Sequence, residues 1–235
     1  SERMLHPVID QIGVDTQNEV VKEGKRQSND NRPYGQILSA VGENLFKVHP
    51  YKDENIGKME HLDAATLEEF KSYFDKYYVP NNAVLVVAGD IKIEETKKLV
   101  ATYFSEVKRG PDVTRNFPKE EPITETIKAI KYDKNIQIPA IIGAYRLPGQ
   151  STRDAYILDM ISSYLSGGKS SVLYKKMVDE QKQALGVQAV NLGQVDYNIF
   201  ALFALPQGEV SLDTLLAEID EEIIKMQTEL ITERD

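Results

Sequence analysis

One short run limits the fold of this chain more than any other. Residues Ala83–Ala88 read Ala-Val-Leu-Val-Val-Ala, without a single polar side chain. Pro80-Asn81-Asn82 precedes it as a turn and Gly89-Asp90 ends it. Six apolar residues between turn signals fit a strand rather than a helix, and apolar side chains on both faces mark a buried strand. The chain therefore has to build a sheet with cover on it. No segment approaches the ~20 continuous apolar residues needed to span a membrane.

Helical patterns surround this run. The polar stretch 15–31 reads as a helix capped by Asp15 or Thr16, and Arg32-Pro33-Tyr34-Gly35 breaks it. A second helix covers about Gln36–Phe46. Asp63 caps a third through about Tyr78, with Leu67, Phe70, Phe74 and Tyr77 on one face, and Ile93–Val107 is a fourth. Lys108–Pro122 is a linker with Gly110, Pro111, Pro118 and Pro122 and charged residues outside any periodic pattern. Beyond it, Thr124–Tyr132 and Ile136–Arg146 read as strands, and Thr152–Leu165 and Ser170–Gln183 as helices. Gly186–Leu192 and Tyr197–Leu205 read as a strand pair. Helices and strands in runs of this kind predict an α+β fold, an antiparallel sheet covered on one face.

Composition narrows the function. The 235 residues carry a formal net charge of −9, 41% hydrophobic and 28% charged residues, ordinary for a soluble globular chain. The acidic balance argues against nucleic-acid binding through bulk charge. Much of that charge sits in 209–235, where nine acids face two bases. Leu212, Leu215, Leu216, Ile219, Ile223, Met226 and Leu230 recur there at helical spacing. The segment reads as an amphipathic helix with a solvated acidic face, binding of a basic partner being the alternative. There is no cysteine, which excludes disulfides, thiolate metal sites and cysteine nucleophiles. The histidines are His6, His49 and His61, and no two stand four apart as a helical zinc pair requires.

Two local motifs have plainer explanations. Gly167-Gly168-Lys169-Ser170 has the end of a phosphate loop, but Ser163 stands where its first glycine belongs and a helix precedes it, so a helix–helix turn is favoured. Glu19 and Glu23 lie four apart on one helical face and could hold a cation. Lys22, Lys25 and Arg26 beside them favour a solvated, balanced surface.

The order of these features resembles a known family. His49-Pro50-Tyr51, Ile56-Gly57, the helix 67–78, the string Tyr78-Val79-Pro80-Asn81-Asn82-Ala83 through Gly89-Asp90, and Leu99 with Tyr103-Phe104 follow one another before the linker. Leu165-Ser166-Gly167-Gly168, Ser170–Tyr174 and a strand pair after Gly186 follow after it. Nearly the whole chain is similar, in colinear order, to zinc peptidases of the pitrilysin/insulinase and mitochondrial processing peptidase type. The resemblance implies two consecutive sheet-plus-helix domains: 1–110 as the later part of a first, 111–122 as linker and 123–235 as the earlier part of a second, both truncated. It implies zinc and a His-x-x-Glu-His helix in the intact parent, a peptide or unfolded polypeptide as substrate, and a second peptidase-like half or subunit as partner. It implies a bacterial protein, of cytoplasm or periplasm.

The sequence departs from the family pattern at its metal. No His-x-x-Glu-His occurs. The downstream glutamate that the family uses as third ligand aligns, on Val20-Val21, with Gly24, and its companion acid with Gln17. Glu23 is one residue away, a rotation of ~100° around a helix, and is the one metal ligand the resemblance offers. The Arg and Tyr that hold substrate backbone in some members align with Val178 and Val187. The expectation is an inactive piece of a zinc metallopeptidase. The alternatives are a non-catalytic partner subunit of the family and an unrelated α+β binding domain.

Overall fold

The computed structural model describes residues 2–231. The chain forms two compact units, Ser1–Ser39 with Val48–Pro122, and Ala40–Lys47 with Ile123–Asp235.

The first unit is helical. A short helix, α1 (Glu2–Leu5), precedes α2 (Gln11–Lys25). Asp10, not Asp15 or Thr16, caps α2: its carboxylate accepts the Gly13 N–H at 2.7 Å, so the helix starts a turn earlier than the polar stretch suggested. α2 then widens into a π-helical turn over Arg26–Asp30. α3 (Ile37–Leu45) follows the Pro33 break and passes into the second unit at Ala40. The helix expected from Asp63 starts later, as α5 (Leu67–Tyr77), and a separate short helix, α4 (Met59–Ala64), precedes it. Thr66 divides them because it closes a capping box: its hydroxyl accepts the Glu69 N–H, and the Glu69 carboxylate accepts the Thr66 N–H at 2.8 Å. α6 (Ile93–Phe104) completes the unit.

Two polar ties hold its loops. Asn81 accepts the Gly110 N–H at 3.0 Å and donates to the Pro111 carbonyl at 3.1 Å. Gly110 is needed there, since a Cβ would stand 2.2 Å from a Val79 methyl. Buried His49 accepts the Tyr51 N–H on Nδ1 and lies edge-on to the rings of Tyr51 and Phe117, 4.2 and 5.5 Å between centroids. The Glu120 carboxylate accepts both the Val48 and the His49 N–H at 2.7 Å.

The strand expected at Ala83–Ala88 is not formed. The segment is extended but pairs with no strand among the described residues, and Val84 and Val86 are 90% and 79% exposed. A strand exists only through its neighbours' hydrogen bonds, and among the described residues no strand lies in this unit to supply them. Thr124–Tyr132, also expected as a strand, is likewise unpaired, with Ile130 and Tyr132 exposed.

The second unit contains the sheet, and the chain as a whole is mixed α and β. β1 (Ile141–Pro148), displaced C-terminally from its expected span, leads to α7 (Arg153–Ser166) and a widened helical turn over Tyr174–Glu180. β2 (Ala184–Leu192), β3 (Tyr197–Pro206) and α8 (Leu212–Thr228) follow. The sheet is antiparallel in the order β1-β3-β2. Phe200, Leu202 and Ala204 of β3 meet Leu165 of α7, Leu173, Met177, and Leu215 and Ile219 of α8 in one buried cluster. Ala40–Lys47, with most of α3, belongs to this unit as well. The Arg146 guanidinium lies over the rings of Phe46 and Tyr197, at 5.8 and 5.6 Å, and donates to the Leu45 carbonyl at the end of α3.

Truncating the centre of this cluster tests its weight. Leu202→Ala is expected to cost about 2–5 kcal/mol, while Leu185→Ala, half exposed on β2, stays within about 0.5 kcal/mol. Urea denaturation of the two variants checks the contrast.

Candidate functional site

Glu23 sits on α2 two residues before Lys25, the last of the helix, and its two carboxylate oxygens are both taken. Gln27 donates to one at 2.9 Å and Arg26 to the other at 3.2 Å. Those bonds, Gln27's first and Arg26's second, hold the Glu23 carboxyl below its ordinary range. Glu19, four residues earlier, is turned to Lys22 at 2.8 Å, and Lys22 also reaches Asp63. The two glutamates share a face but serve different cations, as their basic neighbours suggested. At Gly24 a side chain would meet open space, so neither packing nor a left-handed backbone calls for glycine. Glycine inside a helix costs about 1 kcal/mol relative to alanine. Ser28 bonds the Gly24 carbonyl at 2.7 Å where the helix widens.

The histidines do not converge. His6 is exposed beside Glu2, His61 is exposed beside Glu60, and His49 is buried in its turn. Among the described residues no three of His, Asp and Glu lie close enough to hold a metal ion. Val178 and Val187 pack against the core of the second unit, where neither offers a polar group to a substrate. Gly167–Ser170 is the turn after α7, with a helix on either side.

The cluster that composition did not single out is built around Lys176. Its ammonium lies 2.8, 2.7 and 2.9 Å from Glu218, Glu221 and Glu222 of α8. Lys225 meets Glu222 at 2.8 Å and Glu221 at 3.3 Å. The acidic face of α8 is thus not wholly solvated: Glu222 is buried and Glu218 largely covered. Burial opposes the charge on Lys176, but its three carboxylate bonds outweigh that and raise its pKa well above the ordinary value. Burial also opposes charge on Glu222, yet its bonds to Lys176 and Lys225 leave it lowered; the bonds from Lys176 and Lys225 lower Glu221 too. A signal was present in the sequence, since Glu218, Glu221 and Glu222 stand at i, i+3 and i+4 and share one face. The expected helix overran its end: it stops at Thr228, Leu230 is exposed, and Glu233 and Asp235 lie outside the described residues.

With this geometry in view, comparison with known proteins is informative. Residues 64–235 match the family described as the Peptidase M16 inactive domain. The zinc protease PqqE of Helicobacter pylori is 26% identical over 221 residues, 93% of this chain and 50% of that protein. An uncharacterized zinc protease of Rickettsia felis is 26% identical over 92% of this chain and 51% of that protein. The crystal structure of a protease from Helicobacter pylori superimposes with a TM-score of 0.86 at 25% identity, covering 99% of this chain and 56% of that one. Pitrilysin shares the fold at a TM-score of 0.57 and 17% identity, covering 91% of this chain and 23% of that one. The fold and the motif order define an insulinase/pitrilysin-like metallopeptidase relative. The chain belongs to the Peptidase M16 inactive domain family, which removes the reading of an unrelated α+β domain. It spans about half the length of the curated relatives it matches.

The Lys176 cluster has a readable pH signature. The lowered Glu221 and Glu222 stabilise the fold above the ordinary carboxylate value of 4.5, and that contribution is lost as pH falls through their lower folded values. The raised Lys176 acts oppositely, losing its contribution only as pH climbs past 10.5 toward its higher folded value. Lys176→Met is therefore expected to lose about 1–2 kcal/mol at pH 7, the range for charged hydrogen bonds discounted for partial exposure. In urea melts across pH the gap to the parent chain should narrow below pH 4.5 and persist to pH 10.

Proposed function

We propose that this chain is part of a zinc-dependent metalloendopeptidase and that these residues alone do not hydrolyse peptides. The family supports the first statement. The second rests on one observation, the engagement of both Glu23 oxygens by Arg26 and Gln27. A zinc ligand needs a free lone pair and companions on other elements. Glu23 bonds its own helix neighbours, Gly24 offers no side-chain ligand atom, and among the described residues no three of His, Asp and Glu lie close enough to hold a metal ion. The residues present do not fit a catalytic zinc, and no hydrolytic step runs through them. In the intact parent, zinc and a general base would come from other segments, with a peptide or unfolded polypeptide as substrate and a second peptidase-like half as partner.

A second reading is a non-catalytic subunit that scaffolds or presents substrate to a catalytic partner. Gly24 favours it, because a Cβ there would meet nothing within 4 Å, so packing does not call for glycine at that position. An intact His-x-x-Glu-His in the parent supports the enzyme, and a degraded one supports the scaffold.

Metal analysis and a peptidase assay test the reading directly. After dialysis against trace zinc, the purified chain should carry far less than one zinc per molecule and leave an unfolded polypeptide uncut. Stoichiometric zinc together with chelator-sensitive cleavage would overturn it.

A further inference from the structure

The two compact units do not follow the order of the chain. Val113 and Thr114 lie in the middle of the 108–122 linker, and a cut between them would leave two pieces, 1–113 and 114–235. Ala40–Lys47 of the first piece belongs to the second unit, and residues 114–122 of the second piece belong to the first unit. Each piece lends a segment to the unit that the other mainly builds.

The segment lent to the second unit is apolar. Val41, Leu45 and Phe46 are buried. The Phe46 ring lies 5.7 Å from the ring of Tyr197 on β3. Arg146, on β1, places its guanidinium over both rings and donates to the Leu45 carbonyl. The helix end, its aromatic residue and the cation form one contact.

The segment lent to the first unit is polar. The Glu120 carboxylate accepts the Val48 and the His49 N–H, each at 2.7 Å. Phe117 lies edge-on to the buried His49 ring at 5.5 Å. Both ties therefore fall on residues 45–49, with Leu45 and Phe46 in one unit and Val48 and His49 in the other. Both are contacts already made within this chain. Once either forms, the second closes within the same pair of pieces at a high effective concentration.

We propose that the two pieces fold by exchanging these segments, so that a chain cut between Val113 and Thr114 stays one complex without a covalent link. A chain whose domains follow one another in sequence behaves differently, since few contacts cross its linker.

The test inserts a site-specific protease sequence between Val113 and Thr114 of the full chain, cuts it and follows the product by size-exclusion chromatography with light scattering over a dilution series. The cut chain should elute at the mass of the uncut one, close to the 26.5 kDa of the parent, while a denaturing gel shows two pieces. Phe46→Ala should weaken the hold between the pieces about a hundredfold or more, as loss of a buried ring does. Glu120→Ala should weaken it at least about tenfold, as loss of hydrogen bonds to a charged group does. Circular dichroism of the uncut variants checks that they are folded, with Phe46→Leu as the replacement where Phe46→Ala is not. Separation of the parent pieces at micromolar concentration overturns the proposal. A mass above that of one chain would mean that cut pieces merely aggregate, and also overturns it. Pieces that stay joined with the same dissociation in the parent and both variants refute the assignment of the hold to these segments.

Discussion

A strand in water is held by what lies beside it, and β3 is the strand here with a neighbour on both sides. Its register to β1 and β2 places Phe200, Leu202 and Ala204 on one face, where α7, the Tyr174–Glu180 turn and α8 cover them. The helices have a common target only because β3 is fully paired. Burial of those side chains, worth about 25 cal/mol per Å² of apolar surface, follows from the pairing. The Lys176 cluster and the Arg146 stack are then local fastenings between elements that the sheet has already brought together.

The first unit shows the same rule by its failure. Ala83–Ala88 is a better strand by composition than β1, whose sequence includes Gly143, Arg146 and Pro148. Yet β1 is a strand and Ala83–Ala88 is not, because β1 has β3 beside it. Intrinsic preference in strands is weaker than context, and this chain sets the two against each other. The unit is held instead by polar ties at its turns, through His49, Asn81 and Glu120, and by the Thr66 capping box. Apolar residues of its helices, Phe70, Tyr73, Leu99 and Tyr103 among them, remain exposed.

That difference marks what could be read from the sequence. Helices were legible wherever a periodic face and a local cap coincided. Errors came where an earlier residue, Asp10, capped the helix in place of Asp15 or Thr16, or where Thr66 cut a continuous pattern. The β2–β3 pair was legible because alternation and a tight turn lie within twenty-odd residues. The fates of Ala83–Ala88 and Thr124–Tyr132 were not, since pairing is non-local. At the candidate site, Gly24 was visible as a mismatch to the pattern of the resembled family. The engagement of Glu23 depends on side-chain geometry at Arg26 and Gln27, which spacing permits but does not dictate. The Lys176 cluster joins residues more than forty positions apart, so only its glutamate half was written in one helix.

Gly24 and Glu23 together separate two kinds of vacancy. A position can lose a ligand because the backbone can no longer carry one, or because the side chain has been put to other use. At Gly24 the helix is ordinary and a Cβ would meet nothing within 4 Å, so the backbone can carry a side chain there. Glu23 is a carboxylate that Arg26 and Gln27 already occupy, on the turn where α2 gives way to a π-helical segment. Such widened turns shift every later side chain around the axis, and they occur often at functional sites. Here the widening begins after Glu23 and Gly24, so it cannot rotate Glu23 into the place of Gly24 relative to Val20 and Val21. At both positions the backbone is that of an ordinary helix, so what sets Glu23 and Gly24 apart from the pattern of the resembled family is side-chain identity and partners rather than backbone geometry.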